Sequence, residues 1–240
     1  MRLGRGGPRV VRGGDTLSVK CATLRHVEWE LLRGVPPEDV RRLLEVARRR
    51  TFARGEVVFH EGDPADSLHL VAKGRFAVRV RTPLGDEAVL ALCGPGQAFG
   101  ELALVSGGDA IRAATVESLE AGETHAVYRG EFDRLRHDHP GVTDVLVAIL
   151  AEQVRQRDAL LLDAYYAPAE KRVLRRLRDV TSMYADGVVR LTQDDLASLA
   201  GTSRATVNRV LRDEERRGTV ALERGRCTVL DPDGLARRAR

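Results

Sequence analysis

The sequence predicts an α+β protein: a unit of short antiparallel strands, then a long helix, then a C-terminal winged helix-turn-helix. Short apolar runs separated by glycines fill the region from Thr51 to about Tyr128, which is typical of a compact β-barrel or sandwich-like unit. Apolar residues then recur at spacings of three and four from Gly141 to Tyr166, as in a long helix. Two shorter helical patterns joined by a glycine occupy Leu191 to Leu211. A chain of 240 residues is long enough for two domains.

Charge divides the chain in a similar way. Residues 167–240 contain 16 Lys and Arg residues and 11 Asp and Glu residues, a balance of +5, whereas residues 31–166 contain 17 and 21, a balance of −4. Residues 1–30 are basic and rich in glycine, so we expect a flexible extension there. We therefore predict this extension, a strand-rich unit over 31–140, a long helix over 141–166 and a basic domain over 167–240. The basic balance of the last segment favours contact with nucleic acid.

Composition excludes several classes of protein. Apolar residues make up 43% of the chain, which is ample for packed cores. The sequence has no uninterrupted apolar run of about 18 residues and no signal-peptide core, so we expect a soluble, cytoplasmic protein without membrane contact. Cys21, Cys93 and Cys227 are too far apart for a disulfide framework or a zinc site, and we predict no metal.

An amphipathic helix is predicted at the start of the strand-rich unit. Pro36 and Pro37 favour a helix start, and the apolar spacing that follows predicts a helix over Glu38–Arg49. Strands are then predicted at the apolar runs Val57–Phe59, Leu68–Val71, Phe76–Val80 and Ala88–Leu92.

The helix-turn-helix pattern has clear start and stop signals. Thr192 is a favourable N-cap for the first helix, and Asp194 and Asp195 suit the positive end of its dipole. Gly201 ends this helix, and Ser203 is a good N-cap for the second. Apolar residues at helical spacing predict that the two helices pack together through Leu196, Leu199, Ala200, Val207, Val210 and Leu211.

Packing these apolar residues inward leaves a polar, basic face on the second helix. Such a face fits the major groove of DNA, where an arginine can pair with both O6 and N7 of guanine. We expect this face to present Arg204, Ala205, Asn208, Arg209 and Arg212 to base edges. Phosphate contacts are expected from Thr192, Gln193, Ser203 and Thr206. The alternative is a two-helix corner with a solvated basic face, which any helical domain can contain.

The segment that follows favours the DNA-binding interpretation. The residues from Val220 to Leu230 alternate around a glycine turn and predict a β-hairpin with Arg224 and Arg226 at its tip. A hairpin next to a helix-turn-helix forms a wing, and we expect its arginines to contact the DNA backbone.

The long helix carries a coiled-coil seam, because its apolar positions alternate between spacings of three and four. Two copies of the chain are expected to meet along this seam as a homodimer. The seam consists of Val147, Leu150, Val154, Arg157, Leu161 and Ala164.

Three segments of the strand-rich unit carry short motifs: Gly62–Leu68, Phe99–Ala103 and Arg112–Val116. A glycine, a short helical turn and an arginine suit an anionic ligand. Together with the winged helix-turn-helix, the three motifs resemble the CRP/FNR family of bacterial transcription factors over about Leu31 to Asp233. The resemblance implies an antiparallel β-roll that serves as a sensor. It also implies a homodimeric, cytoplasmic transcription regulator, either an activator or a repressor, that binds a palindromic site on double-stranded DNA and contacts RNA polymerase.

The resemblance also implies a cyclic-nucleotide pocket. In such a pocket Glu101 binds the ribose hydroxyl, Arg112 binds the cyclic phosphate, and Gly100, Leu102 and Ala103 line the site.

This sequence departs from the cyclic-AMP-binding pattern at three places. Ala113 replaces the serine that usually follows the phosphate arginine, and the loop before that arginine is slightly longer. Arg157 and Asp158 stand where cyclic-AMP-responsive members carry hydroxyl residues that contact the base.

Two interpretations of the pocket stay open. In the first, Glu101 and Arg112 form an internal salt bridge, Arg157 and Asp158 pair across the dimer, and the protein binds DNA without an effector. In the second, cyclic AMP or another anionic effector binds Arg112, with Arg157 as a further contact, and DNA binding depends on that ligand.

The resemblance also aligns Arg204, Ala205 and Arg209 with base-reading positions, of which the middle one is commonly glutamate. Ala205 cannot accept a hydrogen bond from cytosine N4, so we expect a changed half-site. The runner-up function is an effector-binding module in which DNA binding is secondary. An enzyme is not expected, since the sequence shows no clustered nucleophile, metal set or carboxylate pair.

Overall fold

A computed structural model describes residues 27–83, 85–105 and 109–240 of the chain. The predicted extension as far as residue 26, with Cys21, and residues 106–108 of the loop before Arg112 lie outside the described residues. The described chain begins with a single 3-10 turn, Glu30–Leu32, and helix α1, Pro37–Val46. Leu31, Leu32 and Leu43 are buried, so both elements cover one side of the strand-rich unit.

Eight strands in the described part of this unit form two antiparallel sheets. One sheet has the order β1-β8-β3-β6 and the other β2-β7-β4-β5. The predicted antiparallel β-roll is thereby confirmed, and the four predicted strands fall within β2 to β5. The strands are β1 (Arg48–Phe52), β2 (Val57–Phe59), β3 (Ser67–Lys73), β4 (Phe76–Arg81), β5 (Glu87–Cys93), β6 (Ala98–Phe99), β7 (Thr115–Ser118) and β8 (Gly122–Tyr128).

The first helix ends earlier than its apolar pattern predicts. The expected span to Arg49 was wrong, because α1 stops at Val46 and the chain enters β1 at Arg48. Arg48 lies opposite Ala126 of β8, so pairing with a strand far along the chain determines the conformation here. Helical spacing alone cannot reveal such a partner.

Aromatic rings fill the interior between the two sheets. Phe52 and Phe76 meet edge to face with their centroids 5.6 Å apart, and Phe99 lies 5.3 Å from Phe76. The ring of His69 stacks on Phe99 at 5.1 Å, and its Nδ1 lies 3.0 Å from Thr124 Oγ1. A histidine is therefore part of the roll core.

Three helices follow strands of the roll: α2 (Leu102–Val105), α3 (Arg129–Asp138) and α4 (Gly141–Tyr166). Helix α4 begins and ends where the sequence predicts. It buries Val142 and Leu146 near its start, and much of its remaining apolar surface is exposed. None of the helices in the described ranges combines the length and apolarity needed to span a membrane.

The C-terminal domain confirms the predicted winged helix-turn-helix. Its strands form one sheet with the order β10-β11-β9, in which β10 and β11 are the predicted hairpin. Strand β9 was not predicted, because two residues are too few to show a strand period. The elements are α5 (Ala169–Thr181), β9 (Val188–Val189), α6 (Gln193–Ala200), α7 (Arg204–Arg216), β10 (Val220–Glu223), β11 (Arg226–Val229) and α8 (Pro232–Ala239).

The roll and the C-terminal domain share an apolar contact. Ala77, Val89 and Leu119 of the roll belong to the same buried cluster as the core of the C-terminal domain. Arg75 adds a polar contact, because its Nε donates to the Met183 carbonyl at 3.1 Å. Its guanidinium lies 3.7 Å from the ring centroid of Tyr184.

Three carboxylates surround the buried Arg79 side chain at this junction. Arg79 of β4 contacts Glu87 at 2.7 Å, Glu117 at 3.1 Å and Asp195 of α6 at 2.6 Å. The Arg79 side chain is only 8% exposed. Burial acts to raise the pKa of the Asp195 carboxyl, but hydrogen bonds from Thr192 and Arg79 outweigh it and hold that pKa below its usual value.

Candidate nucleic-acid interface and ligand pocket

A reciprocal capping box holds the start of α6. The Thr192 Oγ1 accepts a hydrogen bond from the Asp195 N–H at 3.0 Å, and the Asp195 Oδ2 accepts one from the Thr192 N–H at 3.0 Å. Gly201 ends the helix in the left-handed region, with φ +58°. Ser203 then caps α7 by accepting a hydrogen bond from the Thr206 N–H at 3.2 Å. The predicted start and end of α6 and the predicted start of α7 are confirmed.

Helix α7 has one buried face and one exposed face. Val207, Val210 and Leu211 are buried against the domain core, as predicted. The side chains predicted to meet base edges lie on the exposed side: Arg204, Ala205, Asn208, Arg209 and Arg212. Gln193 on α6 connects the two helices, because its Nε2 donates to Asn208 Oδ1 at 3.5 Å. The geometry therefore leaves a continuous polar surface across both helices.

Each arginine of this surface lies beside a carboxylate of the same domain, which the sequence did not reveal. All three arginine side chains are more than half exposed, so they remain accessible to a larger partner. The pairs are Arg204 with Asp194 at 3.2 Å, Arg209 with Glu170 at 2.5 Å and Arg212 with Glu215 at 2.7 Å.

The wing tip is a two-residue turn. Glu223 pairs with Arg226 across the hairpin, and Gly225 has φ +73°, a conformation that favours glycine. Arg224 and Arg226 are exposed at this tip, as predicted. The wing packs beside α7, where Glu215 accepts a hydrogen bond from the Leu222 N–H at 3.3 Å.

In the roll, Arg112 is almost fully buried. Its Nη1 donates to the Ser67 carbonyl at 2.6 Å, its Nη2 donates to Ser67 Oγ at 3.1 Å, and Asp66 lies 3.5 Å away. The guanidinium also lies 4.0 Å from the ring centroid of Phe59. Burial lowers the pKa of Arg112, and the carboxylates of Asp66 and Asp63 partly oppose that effect. Arg112 thus has its own partners within the fold.

The structure pairs Arg112 with Asp66 rather than with Glu101. The expected internal Glu101–Arg112 salt bridge was therefore wrong, because the guanidinium donates to Ser67 of β3 and lies beside Asp66. Gly100 makes this orientation possible. Its φ is +83°, and a Cβ there would lie 2.8 Å from Arg112 Nη1, so a larger residue would displace the arginine.

A cavity of about 300 Å³ opens beside Arg112. Its wall is mixed in charge and includes Arg50, Asp63, Asp66, Ser67, His69 and Arg112. Of the described residues that the resemblance assigns to a ligand, only Arg112 lines this cavity. The others lie outside its lining: Gly100, Glu101, Leu102, Ala103, Ala113 and Arg157. Gly100 nevertheless adjoins the cavity-lining Arg112, since a Cβ at Gly100 would lie 2.8 Å from Arg112 Nη1.

His69 is the titratable group deepest in this wall, and the sequence did not identify it. Burial lowers the pKa of His69 to about 3, and the positive charges of Arg112 and Arg50 act in the same direction. The ring is therefore neutral near neutral pH. Within the described ranges, no group of three His, Cys, Asp or Glu side chains has the arrangement of a metal site.

Comparison with known families identifies two regions of the chain. A sequence model of the cyclic nucleotide-binding domain matches residues 49–139. A model of the Crp-like helix-turn-helix domain matches residues 171–238. The two matches correspond to the β-roll with its following helix and to the winged domain.

Whole-length relatives agree with these matches. The chain is 33% identical over 220 residues to a CRP-like cAMP-activated global transcriptional regulator of Mycobacterium tuberculosis, covering 88% of this chain and 96% of the relative. It is 36% identical over 200 residues to a cyclic AMP receptor protein of Thermus thermophilus, covering 83% and 91%.

Solved structures show the same fold. The crystal structure of a Thermus thermophilus catabolite activator protein has a TM-score of 0.51 at 33% identity, covering 88% of this chain and 98% of that one. FixK2 from Bradyrhizobium japonicum has a TM-score of 0.71 at 21% identity, covering 80% and 96%.

Proposed function

Because the chain belongs to the CRP/FNR family of transcription regulators, we propose that it binds a palindromic DNA site as a homodimer, with α7 in the major groove. The family consists of regulators rather than enzymes. The observation that supports the role of α7 is its exposed arginine face, opposite the buried Val207, Val210 and Leu211. A recognition helix needs this division between a packed face and a groove-facing face.

The proposed dimer interface is the seam of α4. Val147, Val154 and Leu161 are each more than half exposed, and Leu150 is partly exposed. Apolar side chains at coiled-coil spacing are stabilised when a second helix covers them. Arg157 and Ala164 continue the seam and are also exposed. A second copy of α4 supplies the matching surface, because a two-fold axis places the same residues on both sides.

Two-fold symmetry sets the form of the DNA site. Two copies of α7 would contact half-sites about one helical turn apart. Arg204 and Arg209 suit guanine, whereas Ala205 provides no acceptor for cytosine N4, so the half-site differs at that base pair from one read by glutamate. Thr192, Gln193, Ser203 and Thr206, with the wing residues Arg224 and Arg226, hold the phosphates. We expect the protein to act in the cytoplasm as an activator that contacts RNA polymerase.

We further propose that DNA binding does not require a cyclic nucleotide. Arg112 is engaged by Ser67 and Asp66, so a ligand phosphate would have to replace hydrogen bonds that the fold already makes. Ala113, which follows Arg112, has no hydroxyl that could donate a hydrogen bond to a ligand phosphate. The pairing of Arg157 with Asp158 across the dimer would likewise leave no site for the base.

The second candidate is a regulator whose DNA binding depends on cyclic AMP or another anionic effector. The names of two relatives above 30% identity favour it, since one is called cAMP-activated and the other a cyclic AMP receptor protein. In this case Arg112 would turn from Ser67 toward the ligand phosphate. Glu101 would bind the ribose, and Gly100, Leu102 and Ala103 would line the pocket.

Genomic selection of bound fragments separates the two candidates. Purified full-length protein is mixed with sheared genomic DNA, without ligand and with cyclic AMP, and the recovered fragments are sequenced. We expect the same palindrome in both samples. Recovery of a palindrome only with cyclic AMP would establish the second candidate with cyclic AMP as its effector. Recovery of no common sequence in either sample would contradict sequence-specific binding without an effector.

A further inference from the structure

Glu170 occupies an unexpected place on the proposed recognition surface. It comes from the first turn of α5, 39 residues before Arg209, and its carboxylate lies 2.5 Å from the Arg209 guanidinium. Both side chains are 56% exposed. A pair this exposed changes a folding equilibrium by no more than about five-fold. The ion pair therefore contributes little to the stability of the domain, so stability does not account for the contact of Glu170 with an arginine of the proposed recognition surface.

The carboxylates beside the arginines differ in their attachment to the fold. Glu215 lies on the same helix as Arg212 and also accepts a hydrogen bond from the wing backbone at Leu222. Glu170 instead reaches from another helix to the middle of α7, where it contacts Arg209. Glu170 is thus placed to control one arginine rather than to support the wing.

DNA offers Arg209 two kinds of partner. Phosphates occur at every sequence and attract the guanidinium as a charge. Guanine provides two acceptors that match the planar fork of the side chain. Arg209 must leave Glu170 to reach either partner, and the freed carboxylate then repels nearby phosphates. The matched hydrogen bonds to guanine offset this cost, but a single phosphate contact offsets it less completely.

We propose that Glu170 is a specificity-determining residue that acts by positioning Arg209. It holds the arginine on the protein until a guanine edge is available, and it lowers affinity for unrelated DNA more than affinity for the proper site. The inference rests on the proposed role of α7 in reading DNA. The class of ligand that Glu170 discriminates against is the sequence-independent phosphate backbone.

The test is the variant Glu170→Gln in the full chain, because glutamine keeps the size of the side chain and removes its charge. Dissociation constants are measured for a duplex with the selected palindrome and for an unrelated duplex of equal length, over a series of salt concentrations. We expect affinity for the unrelated duplex to rise about two- to five-fold and affinity for the palindrome to rise less. The salt dependence for the unrelated duplex should steepen by roughly one phosphate contact per chain.

Two control variants test whether a change in the ratio of the two affinities arises from the contact between Glu170 and Arg209. Asp133→Asn on α3 removes the same charge from a similarly exposed pair, since Asp133 lies 3.0 Å from Arg136, with 43% and 46% exposure. It should leave the ratio of the two affinities at the wild-type value. In an Arg209→Ala background, Glu170→Gln should not change that ratio further, because the arginine through which it acts is absent.

Two results would overturn the inference and leave the proposed function intact: an unchanged affinity ratio in Glu170→Gln, or an equal change in Asp133→Asn. A parallel loss of affinity for both duplexes would do the same, because it would mean that Glu170 prepares Arg209 for binding in general. A wild-type protein that binds both duplexes equally would instead overturn the proposed function, and this inference with it.

Discussion

Two buried arginines of the β-roll, Arg79 and Arg112, and the exposed arginines of α7 have opposite environments. Arg79 and Arg112 are nearly inaccessible and each has several partners, including the main-chain carbonyl of Ser67 and the carboxylate of Asp195. Arg209 is 56% exposed and contacts the equally exposed carboxylate of Glu170. The same side chain therefore serves two purposes in one molecule. Inside the roll it is part of the folded structure, and on α7 it is available to exchange one partner for another.

This difference predicts which substitutions lower the stability of the fold and which weaken DNA binding. Removing a buried charge leaves its partners without compensation, so the free energy of unfolding falls. Removing an exposed charge of α7 should change that free energy little and weaken the proposed binding to DNA. The following variants test the division, in order of their expected effect on stability.

Arg79→Met should have the largest effect. It leaves Glu117 and Asp195 without their cation at a buried junction, and we expect the free energy of unfolding to fall by about 3 to 5 kcal/mol. Denaturant titration measures this change. Arg42→Met is the matched control, because Arg42 is 76% exposed beside Asp39 and should cost less than about 0.5 kcal/mol. Equal losses in the two variants would contradict the importance of burial.

Arg112→Met should have the next largest effect. It removes both hydrogen bonds to Ser67 and leaves these acceptors unpaired in the roll, at a cost of about 1 to 3 kcal/mol. The measurement is the same titration, without ligand. If the variant were as stable as wild type, the contacts of Arg112 with β3 would not contribute to the apo fold.

His69 should make stability depend on pH in the acid range. Its pKa in the folded protein is about 3, below the ordinary value of 6.5, so the unfolded chain binds the proton first as the pH falls. Stability from this group is complete above the unfolded pKa and is lost at up to about 1.4 kcal/mol per pH unit below it. His69→Phe should flatten the stability curve between pH 6.5 and about 3, and parallel curves for both proteins would refute this assignment.

Arg209→Ala should have the smallest effect on stability, less than about 0.5 kcal/mol. Its effect should appear in DNA binding, with a loss of about 1 to 3 kcal/mol at one base pair of each half-site. Repeating the selection with the variant measures both the affinity and the preferred sequence. An unchanged half-site would contradict a base contact.

The wing provides the control for Arg209. Arg224→Ala should weaken binding to all sequences similarly and reduce the salt dependence by about one phosphate contact. A change of preferred sequence in Arg224→Ala would mean that the wing reads bases as well as phosphates.

Local determinants explain why the winged domain was predictable from the sequence. The cap at Thr192, the stop at Gly201 and the stripe from Val207 to Leu211 lie within one short segment. Helix α4 was predictable for the same reason, since its period is a local property. The early end of α1 was not, because the partner of β1 is β8.

Long-range contacts determine the parts that the sequence did not reveal. Arg209 and Glu170 are 39 residues apart, Arg112 and Ser67 are 45 apart, and Arg79 and Asp195 are 116 apart. No periodicity links such positions, because each pair forms only when separate elements pack. The anion site around Arg112 therefore stays a prediction, and the motif alone could not show that the guanidinium is held by Ser67.

Asp195 gives the junction a further property. Its Oδ2 accepts a hydrogen bond from the N–H of Thr192, the N-cap of α6. Its Oδ1 accepts one from the guanidinium of Arg79. Fraying of the first turn of α6 therefore weakens the attachment of the winged domain to the roll, and detachment weakens the helix cap. With a shared apolar cluster across the same boundary, the two domains should melt together as one cooperative unit rather than as independent modules.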